Sequence, residues 1–241
     1  MFKFIAFDVD GVLLTFKSSW AEVHKAFGSV DSIEDMKAYF KGEITYEEWC
    51  ERDLRRWSEA LGREPTEEDI ANVFKDIDSK VHPYAGEAVS LSKRRGLGVG
   101  LVSAGLSVTT RIVAEKLGIY LWKANPIAKP CRAGVEPKNK LSALIDMVNK
   151  LGISLEETIY VGDSIIDLPA LWGSGCGIGV GSEELKNLVP VWIKDLSDFP
   201  QALLKCLNHF APAEADPYYE QYKYNDPYGD DFPWIRFLNL D

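Results

Sequence analysis

The sequence has no CxxC pair, and its four cysteines, Cys50, Cys131, Cys176 and Cys206, lie far apart. That spacing argues against a disulfide frame, so they are expected to be reduced, mostly buried thiols in a cytosolic protein. Histidine occurs only at His24, His82 and His209. The three are scattered, so each is expected to be structural or exposed rather than catalytic. Positive charge is in deficit: 27 Lys and Arg stand against 37 Asp and Glu, a formal net charge of -10. Neither a nucleic acid nor a membrane is therefore expected as the main partner, because both select a basic footprint. No apolar run approaches a membrane span, and no signal-peptide pattern precedes the first one. The expectation is a soluble, cytoplasmic monomer or homodimer.

What is present is a core-forming chain. With 241 residues, 46% of them hydrophobic, it can bury one large core or two small ones. Phe2 to Phe7 is a short apolar run ending in charge, as in a fully buried parallel strand. From about Ser18 to Lys80 the pattern is helical. Asp31 with Glu34, and Thr45 with Glu48, have capping-box spacing. Cys50, Leu54, Trp57 and Leu61 recur as one helical stripe. Trp49 and Trp57 read as core of this helical stretch. Strand and helix then alternate: a strand running into Ser103-Ala104-Gly105, a helix from Lys140 to Lys150, and strands at TIYVG, CGIGV and VWI. This alternation predicts an α/β fold, a doubly wound, Rossmann-like parallel sheet with an inserted all-helical domain. Ligands in such sheets bind at the carboxyl ends of the strands.

Those ends carry the chemistry. Asp8 and Asp10 end the first strand, Ser103 the second, and Gly162-Asp163 a third, with Asp167 shortly after. Asp8, Asp10 and Asp163 together would make a concentrated negative site with raised pKa values. A hard divalent cation resolves that conflict, and a few carboxylates plus phosphate oxygens are typical magnesium ligands. Ser103, the backbone amides after Asp8 and a lysine near the helix start at Lys140 would hold a phosphate. A calcium loop fits poorly, because position twelve counted from Asp8 is Ser19 rather than Glu. Ser103-Ala104-Gly105 lacks nucleophile-elbow spacing, which argues against a serine hydrolase.

Asp8-Val9-Asp10-Gly11, Leu101 to Gly105, the lysines of Pro137-Lys138-Asn139-Lys140, and Gly162-Asp163 with Asp167 resemble the four ordered motifs of the haloacid dehalogenase superfamily. The helical insertion resembles its type 1 cap. Ser18-Ser19-Trp20 (the SSW stretch), GEITYEEW and Ala124-Asn125-Pro126 are similar to the phosphoserine-phosphatase-like branch, in particular its archaeal members. The resemblance implies a core of residues 1–15 and 83–210, a cap of residues 16–82, and a magnesium-dependent phosphatase for a small phosphorylated metabolite. It implies Asp8 as nucleophile, forming an aspartyl-phosphate, and Asp10 as general acid and base. Asp163 would bind magnesium with Asp8 and the Asp10 carbonyl, and Asp167 would support those metal ligands. Ser103 would bind the transferring phosphoryl group, with Gly11, Ala104 and Gly105 around the substrate. Counting from Gly162-Asp163, the motif lysine is Lys140 in phosphoserine-phosphatase types and Lys138 in many other members; Lys140 is preferred. Asp10 argues against dehalogenation.

The resemblance also bears on specificity. The positions that would read the amine and carboxylate of phosphoserine fall on Lys17 and Asp53, both of reversed charge. Phosphoserine is therefore expected to be a poor substrate, and a sugar or glycerol-type ester a better one. A phosphomutase, or a non-catalytic protein that binds a phosphometabolite, remains the alternative. The aromatic and acidic extension at residues 211–241 lies beyond the resemblance and is expected to dock on its own core or on a neighbouring subunit.

Overall fold

The computed structural model describes residues 1–209, 233–238 and 240. Phe4–Phe7 forms β1, and its four side chains are all buried, as a central strand covered on both faces requires. Four inserted helices follow β1: α1 (Ser19–Phe27), α2 (Ile33–Phe40), α3 (Tyr46–Leu61) and α4 (Glu67–Val73). The chain leaves and returns through one neck. Leu14 and Val81 form an antiparallel bridge, and Thr15 N–H donates to the Lys80 carbonyl at 2.9 Å.

The remainder runs α5 (Ala85–Arg94), β2 (Gly98–Leu106), α6 (Ser107–Leu117), β3 (Leu121–Asn125), α7 (Lys140–Lys150), β4 (Thr158–Gly162), α8 (Leu168–Gly173), β5 (Cys176–Val180), β6 (Val191–Ile193) and α9 (Phe199–His209). The six strands make one sheet in the order β3-β2-β1-β4-β5-β6, parallel throughout. Pro126, which has no N–H to give a sheet, directly follows β3, an edge strand.

Register builds the site. Phe7 pairs with Leu101 of β2 on one side and Val161 of β4 on the other. The residues just beyond these three positions therefore emerge side by side at the carboxyl edge of the sheet.

Three local expectations are corrected. The cysteines are not free: Cys50 is bonded to Cys131 and Cys176 to Cys206. The partners are 81 and 30 residues apart, yet their Cα atoms lie at 6.1 and 5.9 Å, within disulfide reach. The redox argument for a cytosolic location falls with this; among the described residues no helix is long and apolar enough to cross a membrane. Secondly, Ser32 rather than Asp31 caps α2, its Oγ accepting from Asp35 N–H. Thirdly, only Trp57 of the tryptophan pair is pure core; Trp49 lines the main cavity. The Thr45–Glu48 capping box of α3 is present. Residues 210–232, 239 and 241 of the C-terminal extension lie outside the described residues. Its described part packs on this chain's own core, with Phe237 edge-on to Trp172 at 6.0 Å.

Candidate active site

Asp8 continues the β1–β4 ladder, its N–H donating to the Val161 carbonyl at 2.8 Å. Asp163 follows β4 directly, and Asp167 sits in a short 3-10 turn before α8. These three buried carboxylates each offer an oxygen within 4.8 Å of the others. Lys140 opens α7 where Asn139 caps it. Its Nζ reaches Asp8 Oδ2 at 2.8 Å and Asp167 Oδ1 at 2.7 Å. Burial opposes the charge of Lys140, but Asp167 and Asp8 overcome that and hold its pKa above the usual lysine range.

Lys138 goes elsewhere. It lies in the turn before α7, with its ammonium 4.5 Å from the centre of the Tyr39 ring, and it does not line the cavity formed at the strand ends. The two lysines lie on either side of the cap residue Asn139, whose φ of -144° is not helical, so only Lys140 is carried by α7.

Burial pushes the Asp8 pKa well up; Lys140 opposes this, while Asp167 and Asp163 add to it. Asp163 is pushed up to about 6 by burial and by Asp167, against the pull of Lys17. Burial is the larger cause and carboxylate repulsion the smaller, and a bound cation would favour the ionised forms against both. The donor set is anionic oxygen throughout, which fits a hard divalent ion. Asp167 is already saturated. Its Oδ1 accepts from Lys140 and the Tyr160 hydroxyl, and its Oδ2 from the Asp163 and Ser164 amides and the Ser164 hydroxyl. It is thus a residue that fixes the others in place.

Asp10 faces a different way. Its Oδ2 accepts from Ser19 N–H at 2.6 Å, and its Oδ1 is buried without a hydrogen-bond partner among the described residues. Burial raises its pKa, with Ser19 opposing. An unpartnered buried oxygen and a raised pKa both favour the protonated form that a general acid needs. Ser103 is fully buried. Its Oγ accepts from Gly105 N–H at 3.0 Å, which leaves the hydroxyl proton available to a ligand.

Two glycines are there to make room. Gly11 has φ +79°, and a Cβ on it would lie 2.2 Å from Asp163 Oδ2. A Cβ on Gly105 would lie 2.5 Å from Asp10 Oδ2. Either side chain would displace a carboxylate of the site.

Lys17 and Asp53 both line the cavity, and each already has a partner. Lys17 Nζ sits 2.5 Å from Asp163 Oδ2, at the floor of the cavity. Asp53 Oδ1 is held by Arg56 at 2.9 Å and lies 3.2 Å from His24 Nε2. The sequence reading missed Tyr160 and Ser164, which hold Asp167, because a tyrosine in a strand and a serine in a turn carry no signal of their own. Ser19 lay in the SSW stretch that carried the resemblance, but its hold on Asp10 was not legible.

A protein-family model described as haloacid dehalogenase-like hydrolase matches residues 2–175. The chain belongs to the haloacid dehalogenase-like hydrolases. It is 29% identical over 191 residues to a phosphoserine phosphatase of Albidiferax ferrireducens, covering 73% of this chain and 78% of that one. It is 28% identical over 149 residues to the 3-deoxy-D-manno-octulosonate 8-phosphate phosphatase KdsC of Haemophilus influenzae, covering 54% and 73%. A solved substrate-bound phosphoserine phosphatase complex superposes with a TM-score of 0.63 at 24% identity, over 83% of this chain and 98% of that one. The superposition establishes a shared fold for this hydrolase, with its sheet and inserted helices.

Proposed function

We propose that this hydrolase is a magnesium-dependent phosphatase that cleaves a small phosphorylated metabolite through an aspartyl-phosphate on Asp8. One observation carries the reading: Asp8, Asp10, Ser103 and Lys140 all line a single cavity of about 330 Å³, at the small end of ligand pockets. The named phosphatases among its relatives support it.

In this reading Asp8 attacks phosphorus as the ester oxygen departs, and Asp10 delivers the proton that oxygen needs. Asp10, now a carboxylate, takes a proton from water, which attacks the phosphorus of the aspartyl-phosphate, releases inorganic phosphate and restores Asp8. Ser103 and Lys140 donate hydrogen bonds to the phosphoryl oxygens, where charge grows. Asp8, Asp163 and the Asp10 carbonyl would hold magnesium, which when bound neutralises phosphoryl charge and aligns the attack. Asp167 fixes Lys140 and the amide of Asp163. Residues 16–82 act as a cap over a core of residues 1–15 and 83–210, closing the site from water.

The test is turnover of a generic aryl phosphate with magnesium, after chelation, and by Asp8→Asn. Chelated enzyme and the variant should each lose at least about 1,000-fold, roughly 4 kcal/mol of barrier. Asp8→Asn activity within about tenfold of wild type would overturn the covalent step.

A further inference from the structure

The cavity has two unlike ends. Among the described residues its lining cations are Lys17 and Lys140; Lys140 is buried between Asp8 and Asp167, and the more exposed Lys17 is paired with Asp163. The inserted helices contribute none. Arg52 and Arg56, the guanidinium groups close to this wall in sequence, are both turned onto Asp35. What the insertion does contribute is apolar surface, from Trp20, Ile33, Met36 and Trp49, together with two carboxylates, Asp31 and Asp53. Asp53 is neutralised by Arg56. Asp31 is solvent-exposed at the mouth and makes no hydrogen bond or ion pair among the described residues. Beside it Ile33 stays 61% exposed.

Few hydroxyl partners are on offer at this end. Ser18 and Ser32 already cap α1 and α2. The Tyr46 hydroxyl and the Trp49 indole N–H line the cavity and are buried without a hydrogen-bond partner among the described residues. A polyhydroxy leaving group carries more hydroxyls than these two groups can partner, at a cost in affinity. A carboxylate at this end would face the carboxylates of Asp31 and Asp53, its own sign. A positive charge on an apolar stem has complements here: indole faces, which attract cations, and the unpaired carboxylate of Asp31.

The geometry points to a cationic amino-alcohol phosphate, of the phosphoethanolamine or phosphocholine type, as the substrate class, with Asp31 and the Trp20–Trp49 wall as its specificity elements. This rests on the phosphatase reading and replaces the sugar or glycerol-type ester that the sequence suggested.

The experiment compares kcat/KM for phosphocholine, phosphoethanolamine, phosphoserine, glucose 6-phosphate and p-nitrophenyl phosphate, for wild type and Asp31→Asn. The better of the two cationic esters should exceed phosphoserine and glucose 6-phosphate by at least about tenfold. Asp31→Asn should lower the ratio of that ester to p-nitrophenyl phosphate by about fivefold, a change that loss of folding alone would not produce. Phosphoserine or glucose 6-phosphate equalling the cationic esters, or a ratio unmoved by Asp31→Asn, overturns the substrate class. Either result leaves the phosphatase reading intact while p-nitrophenyl phosphate is turned over; loss of that turnover in wild type would refute the phosphatase reading instead.

Discussion

Replacing Tyr160 by Phe isolates a side-chain hydrogen bond from the middle of the sheet to the site. Tyr160 lies within β4 and is fully buried. Its hydroxyl donates to Asp167 Oδ1 at 3.0 Å, and the Val102 carbonyl is the next oxygen, at 3.3 Å. A phenol has one proton, so the shorter, charged acceptor takes it. Phe keeps the ring, and with it the packing, so neither cavity nor strain enters the result. A hydrogen bond to a charged group is worth about 1.5–3 kcal/mol net. Asp167 keeps Lys140 on the same oxygen, which places the expected loss toward the lower end, about 1.5–2 kcal/mol. Urea unfolding followed by far-UV circular dichroism should show the midpoint falling with an unchanged slope. Loosening Asp167 also frees Lys140 and the Asp163 amide, so kcat for an aryl phosphate should fall about tenfold while KM moves less than about threefold. A stability change under about 0.5 kcal/mol together with an unchanged kcat would refute the idea that Tyr160 supports the site.

Two further outcomes follow from the structure. Lys140→Met should lower kcat by at least about 100-fold, the usual loss when one donor to developing charge is removed, whereas Lys138→Met should stay within about threefold by the same assay; the reverse order would return the role to Lys138. In denaturant without reductant the chain should take up no thiol-alkylating reagent, as read by intact mass. The Cys50–Cys131 link spans 81 residues, a loop whose closure is worth about 4 kcal/mol by chain entropy. Cys50→Ser should thus lower the urea midpoint more than Cys206→Ser, whose loop spans 30 residues. Alkylation of all four cysteines would show the bridges absent.

Local signals fixed much of this molecule. The apolar run before Asp8 has to be a buried strand, and it delivers two acids to a strand end wherever the rest of the chain goes. Helix α7 over Lys140–Lys150 and the strands Thr158–Gly162, Cys176–Val180 and Val191–Ile193 were legible to the residue, because apolar runs and breakers lie next to one another in the chain. Their order also determined a parallel sheet with its site at one edge. Tertiary structure alone decided the remainder. The non-helical cap at Asn139 separated the two lysines, and Lys140 rather than Lys138 met Asp8 and Asp167. Packing of the insertion on the segment after β3 brought Cys50 to Cys131. Lys17 met Asp163 across 146 residues of sequence, and Arg52 and Arg56 turned to Asp35, with no cation from the inserted helices lining the cavity. Each of these depends on a distance between chain-remote atoms, and neither composition nor periodicity encodes such a distance.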